Sequence, residues 1–157
     1  LFEPEAIQEE LDVYNPLIPD GSNWKATFMV EFSDEVERKV QLARLIGIEK
    51  AIWVQVGAGP SQADLPPVGG SEPGLQARGA GNFADFARVT PIANEDLDRD
   101  TADKTSSVHF LRFELTPEMC AAVKHGAAMR VGIDHPHYQA ELTLAPETRD
   151  SLAADLA

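Results

Sequence analysis

Trp24-Lys25-Ala26-Thr27-Phe28-Met29-Val30-Glu31-Phe32, running into Ser33-Asp34, is where the reading of the fold turns. Trp24, Ala26, Phe28, Val30 and Phe32 alternate with Lys25, Thr27, Met29 and Glu31, and a period of two places the two sets on opposite sides of an extended chain. This predicts a strand with one buried face. At Ser33 or Asp34 the period changes. Either side chain suits a helix cap, Glu37 stands three residues after Asp34, and Val36, Val40, Ala43 and Ile46 fall on one helical stripe that Gly47 ends. Ile52, Val54 and Val56 alternate again, so a helical segment separates the first strand from the second.

The same logic extends in both directions. Upstream, Pro4 suits a first helical turn, and Ile7, Leu11 and Tyr14 recur at helical spacing until Asn15-Pro16. Downstream, Phe86 to Ile92 is a strand able to pair with Ile52 to Val56, and Asn94 caps a single helical turn through Leu97. Thr105 to Leu115 is the clearest long strand, with His109, Leu111, Phe113 and Leu115 on one face. Thr116-Pro117-Glu118 opens a helix that buries Met119, Ala122 and Val123 and stops at Gly126. Ala128 to Ile133 and Tyr138 to Leu144 bracket Asp134-His135-Pro136-His137 as a hairpin, and a last helix from Pro146 presents Leu152 and Leu156.

The expected fold is therefore α+β: a mostly antiparallel sheet of about six strands with three to four short helices packed on one face, those over 35–46 and 117–125 covering it. Residues 1–157 are expected to form one domain with a flexible Gly/Pro-rich insertion at 57–85. Seven glycines and four prolines fall within 57–81, where little apolar burial offsets the entropy of ordering.

A chain of 157 residues buries roughly two-thirds of its unfolded surface, enough for a core without staples. No apolar run approaches the roughly 20 residues of a membrane helix. With 13 Lys+Arg against 26 Asp+Glu, the net charge of -13 repels phosphate backbones and anionic head groups, which argues against nucleic acid and membrane partners. One cysteine makes no internal disulfide, in keeping with a reducing, cytoplasmic setting. Leu1 in place of Met, with a helix start already at Glu3-Pro4-Glu5, leads to the expectation that residues precede Leu1.

Asp134-His135-Pro136-His137 is the most chemically suggestive stretch, because two imidazoles beside a carboxylate are ligand types that Zn or Fe accepts. It is half a site, and Pro136 in a tight turn fans the rings apart. His109, on an apolar strand face, reads as a core histidine bonded to a neighbour, with a general base as the alternative. Cys120 reads as a buried structural thiol, since Met119, Ala121, Ala122 and Val123 surround it in sequence and Lys124 is a turn away. Glu95 to Asp100 resembles the opening of a calcium loop, but Thr101 stands where the turn glycine belongs and Ser107 where the closing acid belongs. Gly57-Ala58-Gly59 lacks the third glycine and the helix of a dinucleotide fingerprint. No Gly-x-Ser-x-Gly or His-Glu-x-x-His motif occurs. No catalytic residue and no cofactor is assigned from these motifs.

Two stretches, Phe2-Glu3-Pro4-Glu5-Ala6-Ile7-Gln8-Glu9-Glu10-Leu11 leading to Tyr14-Asn15-Pro16-Leu17-Ile18-Pro19, and Lys104-Thr105-Ser106-Ser107-Val108-His109-Phe110-Leu111-Arg112-Phe113-Glu114-Leu115, resemble an uncharacterised bacterial family, domain of unknown function 3501. The similarity extends to Gly21-Ser22-Asn23-Trp24-Lys25-Ala26-Thr27 and Asp134-His135-Pro136, with the Gly/Pro-rich segment as a departure. That resemblance implies no established activity. It implies gene neighbours that encode a rubrerythrin-like protein and an iron–sulfur protein of heterodisulfide-reductase type. The first functional expectation is thus a non-catalytic accessory or interaction protein of a bacterial redox or oxidative-stress system. The alternative is a small metal-binding protein or metal-dependent enzyme using His135 and His137, with His109, Glu114 or Asp134 completing the shell. A homo-oligomeric structural domain is a third reading, given the strand edges a mixed sheet exposes.

Overall fold

The computed structural model describes residues 4–15, 18–60, 86–95, 101 and 103–157. Among these described residues, four α-helices and six strands follow the order α1 (Pro4–Tyr14), β1 (Asn23–Met29), α2 (Glu35–Arg44), β2 (Ile52–Pro60), β3 (Ile92–Ala93), β4 (Val108–Glu114), α3 (Pro117–Lys124), β5 (Ala127–His135), β6 (Tyr138–Thr143) and α4 (Pro146–Ala153). A short 3-10 turn over Ile48–Lys50 precedes β2. The α+β class and the six antiparallel strands agree with the sequence pattern, but the strands divide into two sheets, β1-β4-β3 and β2-β5-β6. The helical segment after β1 thus carries the chain into a second sheet.

Register shows which side chains share a face, although of the inward set in β1 Trp24 is buried, Phe28 half-buried and Ala26 exposed. In the first sheet Trp24 lies opposite Phe113, Ala26 opposite Leu111 and Phe28 opposite His109. In the second, Ile52, Val54 and Val56 lie opposite Ile133, Val131 and Met129. Both inner faces feed one buried cluster that includes Trp24, Val56, Leu111, Phe113, Met129 and, from α3, Val123. At about 25 cal/mol per Å² of apolar surface, each such side chain contributes about 1.5–3 kcal/mol. α3 packs on β2 and β5, and α4 on α3 and β5. Trp24 Nε1 donates to the Leu152 carbonyl at 3.0 Å, and the buried Arg149 donates to the Gly126 carbonyl at 3.1 Å, so α4 is tied to both β1 and the end of α3.

Caps form where the sequence placed them. Asp34 accepts from the Glu37 amide and Thr116 from the Met119 amide, with Pro117 in the first turn of α3. After α2, Gly47 takes φ 84°, a conformation that side chains with a Cβ resist, and redirects the chain. The stripe of α2 differs from expectation. Val36, Val40 and Ile46 are 72%, 53% and 41% exposed, whereas Leu42 and Leu45 are buried. Only one edge of the helix therefore meets the core, and α2 does not cover the sheet as its periodicity predicts. Ile7, Leu11 and Tyr14 of α1 are exposed as well.

Between the sheets, residues 86–95 form a connecting strap. The expected strand over Phe86 to Ile92 is reduced to one bridge, Val54 to Val89, followed by the two-residue β3 against β4. The helical turn expected from Asn94 through Leu97 falls largely outside the described residues, and Asn94 lacks the extended conformation of a helix cap. This residue sits at φ 53°, and its backbone N–H donates to the Phe110 carbonyl at 2.8 Å. Of the proposed insertion at 57–85, residues 57–60 belong to β2, and 61–85 lie outside the described residues, as do 96–100 of the acidic run. No described helix is long and apolar enough to cross a membrane.

Candidate functional site

β4 carries His109 into the core, where it is fully buried. Its hydrogen bonds identify the tautomer. Asn94 Oδ1 accepts from the Phe110 amide at 3.3 Å, which turns the Asn94 NH2 toward His109 Nδ1 at 3.0 Å. Nδ1 is therefore the acceptor, and Nε2–H faces the Ser106 carbonyl at 3.1 Å and Thr105 Oγ1 at 3.0 Å. Both ring nitrogens are used. The histidine fastens the strap to β4 and lacks the open nitrogen a general base needs.

The hairpin turn resolves in the same manner. His135 is buried at the end of β5; its Nδ1 accepts from the His137 amide at 3.2 Å, and its Nε2 donates to the Ile46 carbonyl at 3.0 Å. The second bond satisfies a carbonyl just beyond α2, so His135 pins the turn to the helix end. His137 is exposed, with its ring 5.8 Å from that of His135. Asp134 points to the other side of β5 and pairs with Arg88. Glu114 lies on the outer face of β4, opposite to His109, and pairs with Arg112. The five candidate ligands thus occupy separate places: His135 and His137 are neighbours, while His109, Glu114 and Asp134 do not join them. Among the described residues no three His, Cys, Asp or Glu side chains gather into a metal-binding group.

Two clusters escaped the sequence reading. On the outer face of the second sheet, Trp53 lies over Gly132, its cross-strand partner, and the Arg88 guanidinium stacks 3.7 Å from the indole centroid. Arg88 also reaches Asp134, and Arg130 meets Glu141 at 3.3 Å, so each cation over the indole has a carboxylate. A Cβ on residue 132 would stand 2.2 Å from Trp53 Cζ2, which explains a glycine in mid-strand. That glycine was the available signal, because a lone Gly inside a strand pattern marks close approach. With Gln55 Nε2 donating to the Phe86 carbonyl at 3.0 Å, the cluster holds the strap on this sheet as Asn94 holds it on the other. The second cluster is the clamp of Arg112 on Glu95, at 2.8 and 2.7 Å. The hydrogen bonds from Arg112 hold the Glu95 carboxyl below the usual glutamate range.

A surface groove of about 450 Å³ lies beside α3, lined by Asp20, Ser22, Leu115, Cys120, Lys124 and His125 among others. Burial pushes the Cys120 thiol up, against a weaker pull from Lys124. His125 commits Nδ1 to the Ala121 carbonyl at 2.6 Å. A protonated thiol and a tethered imidazole make no nucleophile–base pair, so the structural reading of Cys120 fits this setting.

These features define an α+β protein of two small antiparallel sheets whose conspicuous polar side chains are committed to holding a strap and a turn in place. The chain belongs to a family of proteins of unknown function (DUF3501), whose profile matches residues 1–78 and 71–156. It is similar to a crystal structure of a protein of unknown function from Burkholderia pseudomallei K96243, with 43% identity and a TM-score of 0.72 over 100% of this chain and 68% of the other. No curated protein matches.

Proposed function

We propose that this domain is a non-catalytic interaction protein of a cytoplasmic bacterial redox or oxidative-stress system. The observation that carries the reading is the exposed apolar stripe of α2: Val36 and Val40 are 72% and 53% exposed although they sit one turn apart on one face. Such a stripe raises the cost of hydration unless another surface covers it. The side chains with catalytic or ligating chemistry support the same reading, since His109 and His135 spend both ring nitrogens on the protein's own backbone and side chains. A net charge of -13 favours a partner with a basic surface and makes the encounter sensitive to salt. The gene neighbourhood implied by the family resemblance supplies the partner class, a rubrerythrin-like or iron–sulfur protein.

Affinity capture from the native host tests this. The intact chain should bring down one of those two proteins at low salt, and Val36→Asp with Val40→Asp should reduce the yield at least tenfold without unfolding the domain. Failure to recover either protein, or recovery unaffected by the double variant, overturns the proposal.

A further inference from the structure

The strongest unexplained surface is the free edge of β6. This strand ends its sheet, all six of its residues are exposed, and among the described residues nothing pairs with its outer side. Strand edges are usually guarded by charged side chains, lysine above all, or by proline or a bulge, and the one charge on β6, Glu141, already pairs with Arg130 of its own sheet. Tyr138-Gln139-Ala140-Glu141-Leu142-Thr143 contains neither lysine nor proline, and its register with β5 is unbroken from Arg130–Thr143 to His135–Tyr138.

Backbone direction follows from two bonds outside that ladder. Asp134 N–H goes to the Ala51 carbonyl at 2.9 Å, away from β6, and Leu144 N–H goes to the Met129 carbonyl at 2.8 Å. Backbone groups alternate along a strand. Tyr138, Ala140 and Leu142 therefore address β5, while Gln139, Glu141 and Thr143 present N–H and C=O to the open edge. Side chains alternate too. Tyr138, Ala140 and Leu142 share the face of Ile133 and Val131, and Tyr138 and Leu142 remain 51% and 60% exposed there.

We infer that β6 pairs antiparallel with β6 of a second copy of this chain about a twofold axis, joining two three-stranded sheets into one of six. The sequence selects the register. Apolar must meet apolar, so even-numbered residues face even-numbered ones. With Ala140 opposite Ala140, Tyr138 faces the second copy's Leu142, and Gln139 faces its Glu141 as an amide donor to a carboxylate. Gln139 and Glu141 are also the residues whose backbone groups point outward, so these pairs form the ladder bonds. The next register toward the C-terminus sets Glu141 against Glu141, and like charges directly opposed are unfavourable. The next one toward the N-terminus shortens the overlap to Tyr138–Ala140. This inference uses no residue of α2 and stands apart from the proposed function.

The test uses the full chain. Sedimentation should give twice the 17.1 kDa monomer mass, and Leu142→Lys should return a monomer with an unchanged circular dichroism spectrum. In a Cys120→Ser background, Ala140→Cys should form a disulfide-linked dimer under mild oxidation, because non-hydrogen-bonded partners place their Cβ atoms about 4.5–5.5 Å apart. Gln139→Cys, which faces Glu141, should cross-link at least tenfold less. A wild-type monomer at the highest soluble concentration overturns the inference. So does a dimer that survives Leu142→Lys and leaves Ala140→Cys reduced.

Discussion

Gly132 and Cys120 show how much a single position decides. Gly132→Ala forces a Cβ to 2.2 Å from the Trp53 ring, and the strap laid on that ring by Arg88 limits its escape. We expect a loss of about 1–3 kcal/mol in urea denaturation, the usual cost of overpacking. The cost should largely vanish in a Trp53→Leu background, and an equal cost in both backgrounds would place its origin elsewhere. Cys120 is the opposite kind of position. Burial raises its thiol above the ordinary range, so native protein at neutral pH should react with iodoacetamide at least tenfold more slowly than the urea-unfolded chain. The sequence marked His109, His135 and Cys120 as worth attention and read His109 and Cys120 as structural. It did not show their long-range partners, because Asn94 reaches His109 only after the strap docks, and Ile46 reaches His135 across 89 residues of chain.

At the scale of elements, periodicity located every described helix and all but the shortest strand, since a period of two or 3.6 is a local consequence of one-sided burial. It could not say which side of α2 is buried. Val36, Val40 and Ile46 make the longer apolar stripe, yet Leu42 and Leu45 meet the core. A helix can be amphipathic toward its own core or toward another surface, and the pattern is identical. This separates two sets of variants. Val36→Asp and Val40→Asp should each shift stability by less than about 0.5 kcal/mol, as exposed positions do. Leu42→Ala should cost about 2–5 kcal/mol by opening a cavity. Comparable losses at all three sites would mean that α2 turns its other face inward. The division into two sheets was equally invisible, because β1 finds β4 and β2 finds β5 only through long-range register.

For the whole molecule, pH probes how these attachments add up. Asp20, Glu95 and Glu118 all hold their protons less tightly than usual: Asp20 through the Ser22 amide, Glu95 through Arg112, and Glu118 through its own backbone amide and Thr116 at the start of α3. A carboxyl depressed in the folded state contributes stability above its unfolded value, and that contribution disappears as pH falls through the folded value. For Glu95 the loss begins near the ordinary value of 4.5 and continues below it. Cys120 works from the other end. Its raised thiol keeps a proton that the unfolded chain releases, so stability declines as pH climbs past the ordinary value of 9.0. A plateau between these limits follows. Acid also relieves the repulsion of a chain carrying -13 charges, which opposes the local loss and makes the raw profile ambiguous. The difference between wild type and Glu95→Gln removes that background, since both share nearly all of it. Urea midpoints should show wild type more stable than Glu95→Gln near neutrality, with the gap closing as pH falls below 4.5. A gap independent of pH would mean that the Arg112 clamp on Glu95 does not hold the strap through its charge.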